Sequence, residues 1–130
     1  MLFSWRITVT AGTAEDSPKT ETLKLTAGVM TLIQVRFEKG CKHLVMVKLL
    51  RAEHQILPAN PGQWLTGDEE TVVDEPYYEL VVQPIDLKFL ACSPSCTYNH
   101  DIAVRVLILP AGVVFWWQML EKILRRMGLL

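Results

Sequence analysis

The segment CSPSCTYNH arranges two thiols and an imidazole as Cys92-x3-Cys96-x3-His100. Thiolate sulfur and imidazole nitrogen are good zinc ligands, and His43, His54 or Cys41 would complete a tetrahedron. Structural zinc sites favour two paired knuckles, however, and this chain has one. The plainer reading is a hairpin loop whose cysteines are incidental or joined in a local disulfide, so no metal is expected. The stretch GDEETVVDE raises calcium, which needs six or more oxygen ligands. Its carboxylates, Asp68, Glu69, Glu70, Asp74 and Glu75, lack the D-x-D-x-D-G spacing of a calcium loop and are interrupted by two valines. They read as a solvated loop and strand edge.

Nucleophilic catalysis would need Ser93, Ser95 or a cysteine beside a base that a third group orients. His100 and Asp101 stand close by in sequence, but there is no G-x-S-x-G elbow, no glycine-rich phosphate loop and no H-E-x-x-H. Neither an enzyme nor a cofactor is expected. Trp64, Tyr77 and Tyr78, in PANPGQW and EPYY, would suit a sugar platform, because aromatic faces with polar neighbours stack on sugars. The plainer alternative is that they seal one end of a core.

Strands must position these residues. In VMTLIQVRFE, Val29, Thr31, Ile33, Val35 and Phe37 alternate with Gln34, Arg36 and Glu38, the period of two that a half-buried strand requires. LVMVKLL sets Val45, Val47 and Leu49 against Met46 and Lys48. IDLKFLA sets Ile85, Leu87 and Phe89 against Asp86 and Lys88, and DIAVRVLIL sets Ile102, Val104, Val106 and Ile108 against Ala103 and Arg105. WRITVT, TLKLT, TVV and YYELVVQ are shorter candidates. Turn-forming segments rich in Gly, Pro, Asn and Asp separate them at 13–19, 38–42, 57–64, 66–70 and 93–101. Seven to eight strands without intervening helices predict an all-β protein, an antiparallel, jelly-roll-like β-sandwich over 1–110. The longest loop regions are expected around 52–76 and 93–101.

The segment 111–130 changes period. Trp116, Met119, Leu120, Ile123, Leu124 and Met127 recur at three and four and line one face of a helix. Gln118, Glu121, Lys122 and Arg125 take the other face. Lys122, Arg125 and Arg126 lie toward the C-terminal end, where cations suit the helix dipole, and Gly128 stands where helices stop. Only twelve residues between Arg105 and Gln118 are free of charge and strong polarity, short of the ~20 that a bilayer span needs. The first expectation is a helix that docks into a neighbouring subunit. Packing on its own sandwich comes next, and a membrane surface last.

The net charge of −1 argues against general nucleic-acid binding. With 50% hydrophobic and 21% charged residues, some apolar surface is expected to meet a partner. The opening MLFSWRITVT has no basic n-region and no adequate apolar run before Arg6, so folding in a reducing cytoplasm is expected.

The run FEKGCKHLVMVKLLRAEHQILPANPGQWLTGDEETVVDEPYYEL, followed by NHDIAVRVLILP, resembles small β-sandwich proteins from the structural modules of tailed viruses of bacteria. The shared features are a G-C turn, an HQ-LP-NP-W segment, a Y-Y-E-L strand and an H-D-x-x-V-x-V strand before a helical tail, over roughly residues 20–125. The resemblance implies turn and core positions rather than catalytic ones. It implies a minor virion component, such as a capsid decoration, spike-base or connector protein, made in the host cytoplasm. The cysteine pair departs from that pattern. The expected function is therefore non-enzymatic assembly, as a homo-oligomer or on another structural protein, in the virion or else in the cytoplasm. A carbohydrate-binding or adhesive module and a peripheral membrane protein are the alternatives.

Overall fold

Alternation buries one side chain in two, and two such faces exclude water only by closing on each other. A computed structural model describes residues 1–128, and for 111–117 the backbone alone. It contains two antiparallel sheets and one C-terminal helix. In the first sheet β1 (Leu2–Val9) pairs with β10 (His100–Leu109), which pairs with β3 (Gly28–Phe37). Along its length β3 then pairs with β7 (Glu70–Asp74) and β8 (Tyr78–Leu80). In the second sheet β2 (Lys19–Leu23) pairs with β9 (Leu87–Cys92), and β9 with β4 (Met46–Arg51). The outer neighbours of β4 are β5 (His54–Leu57) and β6 (Leu65–Thr66).

The predicted faces are the buried ones. Ile33, Val35, Phe37, Val45, Val47, Leu87, Phe89, Val104 and Val106 are almost wholly removed from solvent and belong to one core that both sheets line. Phe37 and Phe89 are its largest fully buried side chains. Phe3 and Trp5 from β1 stack 6.0 Å apart, partly buried against this core.

Four expectations need correction. Among the described residues there are ten strands, not seven or eight, because β5 and β6 lie within the 52–76 region read as loop. At four and two residues they are too short to display a period. The strand expected at TLKLT lies earlier, at Lys19–Leu23, where Thr20 and Thr22 pair with Leu90 and Lys88. Ile85 precedes β9 rather than lying in it, and β8 covers only three residues of YYELVVQ.

Buried polar groups tie the loops down. In the run HQIL, Gln55 is buried and its Nε2 donates to the carbonyls of Pro58, Asn60 and Gln63 at 2.7, 3.2 and 3.1 Å. Gly62 N–H donates back to its Oε1 at 3.3 Å. One amide therefore shapes the PANPGQ loop, and Gln55→Ala should strand several of these groups. A loss of about 1–3 kcal/mol in urea unfolding is expected, the cost of leaving buried polar groups unpaired. An unchanged midpoint would mean that water replaces the amide without loss. Arg51 does similar work between the sheets: its Nε donates to Pro84 O at 2.8 Å and its Nη2 to Val82 O, and its guanidinium lies 5.5 Å from the Tyr78 ring centre.

Candidate functional site

The helix α1 (Ala111–Arg126) starts directly after β10, with Pro110 as the residue before its first turn. Proline suits a helix start because its missing N–H has no partner there in any case. The helix ends where Gly128, at φ 75°, enters the left-handed region and donates to Arg125 O at 3.1 Å. Arg125 and Arg126 occupy the last turn, and Arg125 Nη2 pairs with Glu121 Oε1 at 2.7 Å across one turn.

The described apolar side chains of this helix are not in the core. Met119, Leu120, Ile123 and Met127 are 38%, 47%, 50% and 67% exposed, and Leu124 is half-buried. Trp116, expected on the same stripe, falls among the side chains outside the described residues. Thus five of the six stripe residues can be placed, and four of them are exposed, outside the core that the two sheets line. No helix among the described residues is long and apolar enough to cross a membrane.

The cysteine–histidine segment resolves into structural parts. Cys41, Cys92 and Cys96 are buried free thiols. Burial pushes the Cys41 and Cys92 thiols up to about 11 and raises Cys96 as well. A nucleophilic cysteine needs the opposite shift. Ser93, also buried, donates from Oγ to Thr10 O at 2.8 Å and from its N–H to Thr13 O at 3.0 Å, lacing two loops together. Among the described residues no three His, Cys, Asp or Glu side chains form a metal-binding group. His100 Nδ1 instead lies 3.0 Å from Glu38 Oε1, which also accepts the Asp101 N–H at 3.1 Å.

Beside this pair, Asp101 accepts from Thr8 Oγ1 at 2.6 Å and from Arg6 Nε at 3.0 Å. The Thr8 hydroxyl first, and Arg6 second, hold its carboxyl below the ordinary value. A depressed carboxyl contributes stability above its unfolded pKa, and that stability is lost as the pH falls through the folded one. Asp101→Asn should therefore lower the melting temperature at pH ~7, with the gap to the wild type closing below about pH 4. A gap that stays constant into strong acid would show that the ion pair contributes nothing.

Of the acidic stretch, Asp68 accepts from Gly40 N–H at 3.0 Å. The backbone N–H groups of Lys42 and Gly40 hold its carboxyl below the ordinary value. It braces a turn in which Gly40, Lys42 and His43 all have positive φ. The three platform aromatics are distributed over both sheets. Trp64, just before β6, has Lys48 Nζ 4.1 Å over its ring and donates from Nε1 to Glu15 Oε1 at 3.1 Å. Tyr78 packs partly against the core in β8, and Tyr77 before it is exposed.

Sequence reasoning passed over the outer face of the first sheet. Register sets Arg36 opposite Ala103 and Arg105 opposite Gln34, and these residues line two shallow depressions together with Arg6, Lys39 and Thr71. Only cross-strand register reveals this grouping.

No family model and no curated protein matches the chain. Among solved structures it is similar to that of FLHE, with a TM-score of 0.37 and 15% identity over 81% of this chain and 95% of that one. A likeness this slight carries no argument about function.

Proposed function

We propose that this is a non-enzymatic assembly protein, a jelly-roll-like β-sandwich that oligomerises and docks through its C-terminal helix. The observation that carries the reading is the exposed stripe of Met119, Leu120, Ile123 and Met127 beside a core that the two sheets complete. Isolated helices of this length are marginal in water and gain stability by packing an apolar face. A partner offers that packing.

The strand order supports the jelly-roll part of the proposal. β1 pairs with β10 and β2 with β9, first with last and second with second-last, while β1 to β4 alternate between the sheets. Double-sheet jelly rolls recur in viral capsid proteins and lectins. Together with the resemblance to virion proteins of tailed bacterial viruses, this extends the proposal to a minor virion component. That extension rests on fold-level analogy. The carbohydrate-binding alternative has less support, since Trp64 already carries Lys48 on its ring and Tyr78 is partly packed into the core.

Light-scattering mass of the full chain, compared with a chain ending at residue 110, tests the reading. The full chain should be a multimer and the shortened one a folded monomer. A monomeric full chain at micromolar concentration would overturn oligomerisation.

A further inference from the structure

The geometry points to an oxyanion-binding groove on the outer face of the first sheet, formed by Arg36 and Arg105 over Ala103. A depression of about 290 Å³ there is lined by Gln34, Arg36, Thr71, Ala103 and Arg105. Four of these five side chains offer hydrogen-bond donors, and none is a carboxylate. Ala103 provides a low floor because its side chain ends at Cβ while its cross-strand neighbour Arg36 is long.

The two arginines are neighbours on one face of the sheet, and neither is ion-paired among the described residues. Arg36 sits opposite Ala103, and Arg105 opposite Gln34 two residues along the same pair of strands, which makes the arginines diagonal neighbours. Among the described residues Arg36 Nη1 reaches only the Thr71 hydroxyl, at 3.4 Å. The ion pairs among the described residues involve Arg6, His100 and Arg125, and leave Arg36 and Arg105 without a carboxylate. Arg6, by contrast, is already neutralised by Asp101. The adjoining depression, about 320 Å³, is lined by Glu38, Glu69 and Asp101 as well as by Arg6, Arg36 and Lys39. Acid therefore crowds one side of Arg36 and is missing on the other.

Like charges at neighbouring cross-strand positions repel, and an anion between them reverses the sign of that interaction. Guanidinium forks match the paired oxygens of a carboxylate or a phosphate, with Gln34 and Thr71 supplying neutral donors at the side. The shared chemistry is a compact oxyanion. Its source is either a free phosphate-type ion or a carboxylate of a neighbouring copy.

The test is a titration of the full chain with inorganic phosphate, against sodium chloride at matched ionic strength, read by backbone amide chemical shifts. Saturable shifts at Gln34, Arg36, Thr71 and Arg105 are expected with phosphate and not with chloride. Arg36→Gln with Arg105→Gln should weaken the binding roughly tenfold or more, the loss expected for charge-assisted pairs. Ala103→Leu should weaken it by filling the floor with all charges kept. Identical responses to phosphate and chloride, or binding untouched by both variants, would overturn the site. Mass measured at saturating phosphate names the source. An unchanged mass identifies a free oxyanion, and a fall that the double arginine variant reproduces identifies a neighbour's carboxylate. The shift titration reads the same on a monomer, so its failure is separate from any failure of helix docking.

Discussion

Phe37→Ala and Phe89→Ala are each expected to cost about 3–5 kcal/mol of stability, the range for truncating a fully buried aromatic. Phe37 ends β3, between Ile102 of β10 and Glu70 of β7, and Phe89 is central in β9 between Leu49 and Glu21. Both rings are completely buried. Their surroundings cannot collapse freely, because the backbone on either side is held by ladder hydrogen bonds and the facing sheet is held by its own. At Phe37 the packing extends to the turn before β7. A methyl group added at Gly67 would sit 2.6 Å from the ring's Cδ2. Small domains are stable by ~5–15 kcal/mol in total, so either variant should lose about a fifth or more of its margin. Urea unfolding followed by circular dichroism measures this. A loss below about 1 kcal/mol at both sites would mean that the buried and exposed faces are interchanged.

The same residues show what was legible beforehand. Phe37 and Phe89 each end a stretch of apolar–polar alternation, Ile33 to Phe37 and Ile85 to Phe89, and a period of two specifies a face without any knowledge of the partner strand. The helix was equally plain, since its stripe, its basic last turn and Gly128 lie within one segment. Other features depend on residues far apart in the chain. His100 meets Glu38 across 62 positions, and Arg51 reaches the carbonyl of Glu79 in β8 and those of Val82 and Pro84 in the segment after it. The Arg36–Arg105 groove exists only because β10 pairs with β3 in one register. A shift of that pairing by one residue would send one arginine inward. The buried Gln55 carried no such signal, because it follows Glu53 and His54 and β5 is too short to show a buried face.

Replacing Leu120 and Ile123 with aspartate should abolish multimers while leaving the β-type circular dichroism and the cooperative melt in place. The two effects separate because of where these side chains lie. Both are about half exposed in the isolated chain, so the sandwich core loses nothing when they change, and aspartate costs the helix only tenths of a kcal/mol each. An interface that buries them has more at stake. Each large aliphatic side chain contributes about 1.5–3 kcal/mol on full burial, and docking would also have to desolvate two carboxylates. Losing even 3 kcal/mol weakens association by roughly a hundredfold, enough to take a micromolar oligomer apart at ordinary working concentrations. Residues at this spacing enter a groove together, so the double change strikes neighbouring anchors rather than scattered contacts. Sedimentation velocity and thermal melts on the same sample decide among the outcomes. An intact oligomer rules out docking through this stripe. A non-cooperative melt places the helix in the domain's own core, and the assembly reading then loses the observation that carries it.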